Sequence, residues 1–507
     1  MSGRVVEGIT RAFSSAPGFS RRRLVGNIAL AVSIGALSAW LLMMFASVTA
    51  YVQSADGPEP ALNRAYLANA VAFALCCLAL YLRNSALTAF IESKALALPL
   101  AVLLAIGSLI LSYSGISTDI MWVLVAVGAV LCATSSVGLF AMIGHRFGCL
   151  TYRERLLYTV VGFLLTSLLI TAFAFFTKLP ALIFAVATAL LVGLALLLSD
   201  RLTGTRAPAE EPPEAGDMEL IARRRLLYRF AILIFLWRML VEWARTMLIH
   251  GGVNAAGTTM FARINALGTL SVIIVTFAII VAIAVIPRFF RLSYAYRVVL
   301  ITSLCAILLI QVSPSPDGMP VVPYALCAGT TVLLQMITWA CAVALVGAVK
   351  GKSASQVILL LVGASYTGAG VGFGMAFLVN ALLPHTAMVL TVAVVIAVCI
   401  LVMSYLTVFT EQDLDFISRL MPNSQHRRFM DACAQLAERY GLSEREAEVL
   451  VLLAKGRNAS YISENLWISQ NTATTHRKRI YQKMDVHSQQ ELMNLVEREV
   501  NPTLKGN

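Results

Sequence analysis

From Leu24 to about residue 409, apolar residues come in long runs broken by short polar connections, not in the alternation of a half-buried strand or the stripe of a surface helix. Runs of about 17 to 25 residues match the length a helix needs to cross a hydrocarbon layer of roughly 30 Å. On this basis the first span runs from Leu24 to about Val52, and others lie near 65–82, 95–114, 120–143, 156–176 and 179–198. Residues 199–225 break the series with Ala207-Pro-Ala-Glu-Glu-Pro-Pro-Glu214, too polar and proline-rich to pack, and with Arg223-Arg-Arg225. Six further spans follow near 226–249, 264–286, 296–312, 321–349, 356–379 and 386–409. The pattern predicts an all-α chain: a polytopic membrane bundle of six plus six helices, then a soluble four-helix domain.

The soluble part has a different period. Ser443 and Glu446 have capping-box spacing, and Val449, Leu450 and Leu453 continue as an apolar stripe that Gly456 can close. A second helix from Ala459 to about Trp467 puts Ile462 and Leu466 on one face, and Ser469 is a good N-cap for a third. Between Gln470 and Met484 that third helix carries Arg477, Lys478, Arg479 and Lys483 with no acid before Asp485, while Ala473, Ile480 and Met484 keep an apolar seam. A basic outer face on a packed helix suits the major groove of DNA. Ser488 and Glu491 repeat the capping-box spacing ahead of a fourth helix, whose Leu492, Leu495 and Val496 form a buried or dimerising stripe.

Composition agrees with the membrane reading. Of 507 residues, 59% are hydrophobic and 13% charged, and mean hydropathy is +0.79, far outside soluble usage. The basic residues Arg4, Arg11 and Arg21-Arg-Arg23 precede the first apolar run like the start of a signal peptide. The run is too long for one, so an uncleaved first span is expected despite a passable cleavage site at Val48-Thr-Ala50. Alternate connections hold the cations: Arg83 and Lys94; Arg146, Arg153 and Arg155; Arg223 to Arg225; Arg288, Arg291 and Arg297; Lys350 and Lys352. The positive-inside rule then puts both termini in the cytoplasm, in a multi-pass protein of the cytoplasmic membrane. The expected divisions are a cytoplasmic segment at 1–23, membrane halves at 24–198 and 226–409 joined by the linker 199–225, a connector at 410–441 and a DNA-reading domain at 442–500.

The motif set Glu446-x-Glu-Val-Leu, Leu452-Leu-Ala-x-Gly456 and Ile468-Ser-x-Asn-Thr472-x-x-x-His476-x-x-x-Ile480-Tyr-x-Lys-Met484 resembles the LuxR-type helix-turn-helix domain over about residues 442–496. The resemblance implies that the third helix enters the major groove of double-stranded DNA and that two domains pair on a two-fold site. Carried over by position, it implies base-facing roles for Thr474, Thr475 and Lys478. It implies phosphate contacts for Thr472, His476, Arg477, Arg479 and Lys483. Thr474 stands where many members have Lys. The six-plus-six layout resembles the major facilitator fold, although the hairpin Arg83 to Lys94 lacks that family's Gly-x-x-x-Asp-Arg-x-Gly-Arg-Arg signature. As a whole the chain resembles the membrane-embedded LuxR-type regulators of anaerobic gut actinobacteria.

In the seventh span, Arg238, Glu242 and Arg245 stand at i, i+4 and i+7, forming one stripe deep in an apolar segment. A lone Arg at mid-bilayer costs about 3 kcal/mol on insertion scales, so such residues face a cavity or pair within the protein. Glu242 balances one Arg and leaves the other to hold an anionic or polar group, with Trp237 and Trp243 available for stacking; the alternative is an internally neutralised network that fixes packing. Arg245 can also snorkel outward. The alternating glycines Gly368, Gly370, Gly372 and Gly374 lie inside an apolar span and suit close helix packing or a flexible gate. Nine cysteines without a C-x-x-C pair imply neither a metal site nor a disulfide framework, and no motif calls for a cofactor or for an enzyme. Phe429, Met430, Cys433, Leu436, Ala437 and Tyr440 recur at helical spacing in the connector, which suggests a helix packing on the DNA-reading domain or on a second copy. The expected function is a membrane-held transcriptional regulator that senses a small molecule; a transporter with a fused regulatory domain is the alternative.

Overall fold

The computed structural model describes residues 21–45, 58–82, 93–114, 120–150, 152–173, 175–176, 179–203, 223–247, 292–309, 321–346, 353–382, 387–408, 410, 413, 424–466 and 468–500. The chain forms two compact units, residues 1–418 and 419–507.

In the first unit the helices are α1 (Arg21–Phe45), α2 (Pro58–Leu82), α3 (Ala97–Ser112), α4 (Met121–Gly148), α5 (Tyr152–Phe173), α6 (Leu179–Thr203), α7 (223–247), α8 (Leu292–Leu308), α9 (Val321–Leu345), α10 (Ala354–Leu382) and α11 (Ala387–Met403). α11 runs on as a π-helical turn over Ser404–Val408. Six described helices are long and apolar enough to cross a membrane. The expected span at 264–286 lies outside the described residues, as does most of the 199–225 linker. Helix ends differ from the apolar runs where polar residues continue the helix. α2 starts at Pro58, a residue suited to a first turn, well before residue 65, and α4 carries on through His145 and Arg146 past residue 143.

Within the first half α1 packs on α5 and α6, and α3 on α4 and α6; the two halves meet through α2 on α10, α4 on α10 and α5 on α9. The glycines of α10 set two of these approaches. A Cβ on Gly368 or Gly372 would lie 2.4 Å from the Phe235 carbonyl oxygen or 2.0 Å from that of Met239, so these glycines seat α10 on α7. A Cβ on Gly370 would lie 2.5 Å from the Ala70 Cβ, so the opposite face seats α10 on α2 of the other half. Close packing, rather than a nucleotide loop, is therefore what the run provides.

Buried charge is satisfied locally. Arg146 at the end of α4 makes two short bonds to Asp200 of α6, at 2.7 and 2.6 Å. Arg155 at the start of α5 donates to the carbonyls of Gly148, Leu150 and Val343, capping carbonyls at the ends of α4 and α9 and tying the two halves. Arg229 of α7 donates to the Val408 carbonyl at 2.7 Å and to Asp413 at 3.0 Å, holding the exit from the last span against α7.

The second unit contains α12 (Ser424–Arg439), α13 (Glu444–Ala454), α14 (Ala459–Leu466), α15 (Gln470–Met484) and α16 (Gln489–Val500). Its core joins Val449, Leu450 and Leu453 of α13, Ile462 of α14, Ala473, Ile480 and Met484 of α15, and Leu492 and Val496 of α16. Ala432, Cys433, Leu436 and Ala437 of α12 belong to the same core, so the connector helix packs on the DNA-reading helices. Burial pushes the Cys433 thiol up to about 11, which keeps it protonated and inert as a nucleophile.

The glycine contacts give a paired prediction. Gly372→Ala should destabilise the membrane unit by about 1 to 3 kcal/mol, whereas Gly374→Ala, whose Cβ would meet Leu67 only at 3.7 Å, should be close to neutral. Thermal midpoints of the detergent-purified protein check this, and equal effects at both positions would refute the packing role.

Candidate functional site

α15 is fixed at both ends by the chain's own caps. Ser469 accepts from the Thr472 amide at 3.1 Å, and at the far end Asp485 adopts a left-handed conformation (φ 51°) with its amide on the Tyr481 carbonyl. α13 begins with the full capping box of Ser443 and Glu446, and Gly456, at φ 77°, follows its last turn. At α16 half of the box forms. The Glu491 amide donates to Ser488, but the Glu491 carboxylate turns to the His487 amide. Gln489 reaches back to the Leu453 and Arg457 carbonyls, and Arg445 donates to the Leu466 carbonyl, so orphan carbonyls at the ends of α13 and α14 are occupied.

With Ala473, Ile480 and Met484 inward, α15 exposes Thr472, Thr475, Lys478 and Arg479 to solvent and leaves Thr474, His476 and Arg477 partly covered. The hydroxyls of Thr474 and Thr475 each donate to the carbonyl four residues back, so the helix itself holds them until a partner competes. Nδ1 of His476 is buried with no hydrogen-bond partner among the described residues. Lys483 is placed differently from its expected phosphate role. Its ammonium contacts Glu446 at 2.7 Å and the Gly441 carbonyl at 3.0 Å, bracing α15 against the start of α13. The carboxylate is buried, and the bonds from Lys483 and from the Ser443 amide hold it below the ordinary range.

In the membrane unit Arg238, Glu242 and Arg245 are all buried, at 3%, 1% and 4% exposure. Arg245 does not reach outward. Its guanidinium grips Glu242 through Nε, at 3.1 Å, and through Nη2. Tyr66 of α2 stacks on Phe373 of α10 at 4.4 Å between centroids. Arg238 reaches Glu242 only at 3.7 Å, and its Nε and Nη1 have no partner among the described residues. Trp237 is turned away from the stripe: its indole N–H donates to Ser404 in the π-turn of the last span at 2.8 Å. Between the halves a narrow cleft, with only about 20 Å³ open to a water-sized molecule, is walled by Phe140, Phe163, Trp339 and Tyr366. Gln335 Oε1, Trp339 Nε1 and Ser365 Oγ on its lining are buried without partners. Single polar residues in apolar spans were the only sequence signal for this cleft, and Gln335, Ser365 and Tyr366 were not picked out by it.

Residues 441–496 match the bacterial regulatory proteins of the luxR family. The C-terminal unit contains a LuxR-type DNA-binding domain. The uncharacterized response regulatory protein YgeK of Escherichia coli K12 is 40% identical over 65 residues, which is 12% of this chain and 44% of that protein. The response regulator UvrY, of Escherichia coli and Shigella flexneri, is 37% identical over 54 residues, 11% of this chain and 25% of that protein. The chain thus spans less than half the length of these relatives. Among solved structures, the human organic anion transporter MFSD10 (TETRAN) aligns over 77% of this chain and 99% of its own at 14% identity and a TM-score of 0.50. The membrane unit shares the fold of that solved structure. The chain is a multi-pass membrane protein in which a LuxR-type domain is fused to this unit.

The Glu446 brace makes the LuxR-type domain acid-sensitive in a defined way. A carboxyl depressed in the folded state contributes stability that is full above its unfolded value, near 4.5, and is lost as pH falls through the folded one. Hydrogen exchange of α13 and α15 in the intact protein should therefore lose protection below about pH 4.5, and Glu446→Gln should flatten that loss. Lys483→Met should cost about 1 to 3 kcal/mol of protection at pH 7, because it leaves the carboxylate without its cation. An unchanged acid limb in Glu446→Gln would remove the brace.

Proposed function

We propose that this chain is a one-component transcriptional regulator held in the cytoplasmic membrane, sensing a small molecule through its facilitator-like unit and binding operator DNA as a homodimer through its LuxR-type domain. The observation that carries this reading is a basic recognition helix, packed as a DNA-reading helix should be, on the same chain as a membrane unit with a buried, incompletely paired cation. Both termini are cytoplasmic in this reading, because cations gather on alternate connections and the DNA-binding domain must share a compartment with DNA. Thr474, Thr475 and Lys478 read bases; Thr472, His476, Arg477 and Arg479 position the phosphates, and Lys483 supports the helix from behind. Arg238, Glu242 and Arg245 form the ligand-responsive site, and Trp237 links that helix to the last span. α7 bears the charge stripe and, through Arg229, grips the exit of that span. A ligand that prefers one arrangement of α7 therefore shifts the connector by its differential affinity.

Two measurements follow. Lys478→Ala should cost about 1 to 3 kcal/mol at one operator position and relax base choice there, while Arg479→Ala should weaken binding to all sequences and reduce the salt slope by about 1. Occupancy of chromosomal sites and gel-shift titrations with the full-length protein check this, and equal effects of both changes on operator and random DNA would overturn the roles. Tags at residue 215 and at the C-terminus should both be protected from protease in sealed cells. Cleavage of either from outside would invalidate the topology.

A further inference from the structure

The buried charges of the membrane unit do not cancel. Of the acidic residues on its described helices, Asp200 is matched by Arg146 at 2.6 Å, Glu154 lies beside Arg23 at 3.8 Å and Glu242 is gripped by Arg245. Asp413 past the last span is held by Arg229. Glu59, the remaining one, lies in the first turn of α2. The stretch from 220 to 316 contains no acidic residue except Glu242, so the span at 264–286 brings none. Arg238 is therefore a buried cation with a shared and distant carboxylate, and two of its nitrogens, Nε and Nη1, are unsatisfied among the described residues. The triad Arg238, Glu242 and Arg245 carries a net charge of one positive unit.

A buried guanidinium in this state is costly, because the medium offers no water and the carboxylate is already engaged. Arg155 shows how the same fold treats a cation that needs no ligand: its nitrogens are used up on helix-end carbonyls. Arg238 has no such set, and its helix packs on α10, which supplies Val362, Ser365 and Tyr366 to the cleft between the halves. Among the described residues no charged side chain lines the cleft, and Gln335, Trp339 and Ser365 keep unpaired polar atoms on its lining.

We propose that Arg238 is the recognition point for a small organic monoanion, such as a carboxylate, whose charge neutralises the triad. This deepens the sensor reading above and rests on it only in taking the bound anion as the input signal. Arg245 is the structural partner of Glu242, and Arg238 is the ligand's partner.

The two roles give opposite signs in one experiment on the full-length protein in detergent. Without added organic anion, Arg238→Met leaves a neutral Glu242 and Arg245 pair and should raise the thermal midpoint, whereas Arg245→Met breaks the tight pair and should lower it. Sodium acetate and sodium benzoate, each compared with sodium chloride at equal ionic strength, should raise the midpoint of the unaltered protein. Acetamide and benzamide should not, and the response to the carboxylates should fall about tenfold or more in apparent affinity in Arg238→Met. A lower midpoint in Arg238→Met, or equal stabilisation by amides and carboxylates, would overturn the anion site, as would chloride alone giving the whole effect. Carboxylate binding through Arg238 that leaves chromosomal occupancy of the full-length protein unchanged would instead refute the sensor reading and leave the anion site standing.

Discussion

Inside a bilayer a charge or a backbone polar group has only the protein to satisfy it, and the membrane unit is arranged around that constraint. Helices satisfy their own backbones. Arg146 takes Asp200, Arg155 takes the carbonyl ends of α4 and α9, and Arg229 takes the carbonyl end of the last span together with Asp413. Each of these residues satisfies a charge and also joins two segments of the bundle. Arg238 departs from the rule, in the interior of α7, and the functional reading of the membrane unit begins from that departure.

α7 unites several of these relations. It carries Arg229 near its start, the Trp237 bond to the π-turn of the last span, and the triad further along. Gly368 and Gly372 of α10 lie against its backbone, so a side chain larger than hydrogen could not follow a shift of α7 without moving α10 as well. Through Trp237 and Arg229 the helix that carries Arg238 is bonded to Ser404, Val408 and Asp413 at the end of the last span.

The DNA-binding unit solves a different problem, presenting a helix rich in cations to solvent while keeping it rigid. Caps at Ser469 and Asp485 and an apolar seam on three neighbouring helices do most of this. The Lys483 to Glu446 bond adds a charged brace at the end of α15, so one of the four cations of that helix serves structure and the others stay on its outer side.

The sequence by itself determined whatever depends on local spacing: the apolar runs that must span a membrane, the capping box at Ser443 and the Ser469 cap that start helices of the LuxR-type domain, and the charge stripe at i, i+4 and i+7. It also placed Ala473, Ile480 and Met484 inside and the basic face outside, because helical period alone separates the two faces. Tertiary structure alone decided which Arg would take Glu242, since Arg238 and Arg245 are both in reach along the helix and the choice falls to side-chain geometry in the packed interior. It also turned Trp237 toward Ser404, committed Lys483 to Glu446 across 37 residues, and drew Gln335, Trp339, Ser365 and Tyr366 from two spans to one cleft. Those relations join residues far apart in the chain, where periodicity carries no information and only the meeting of helix faces does.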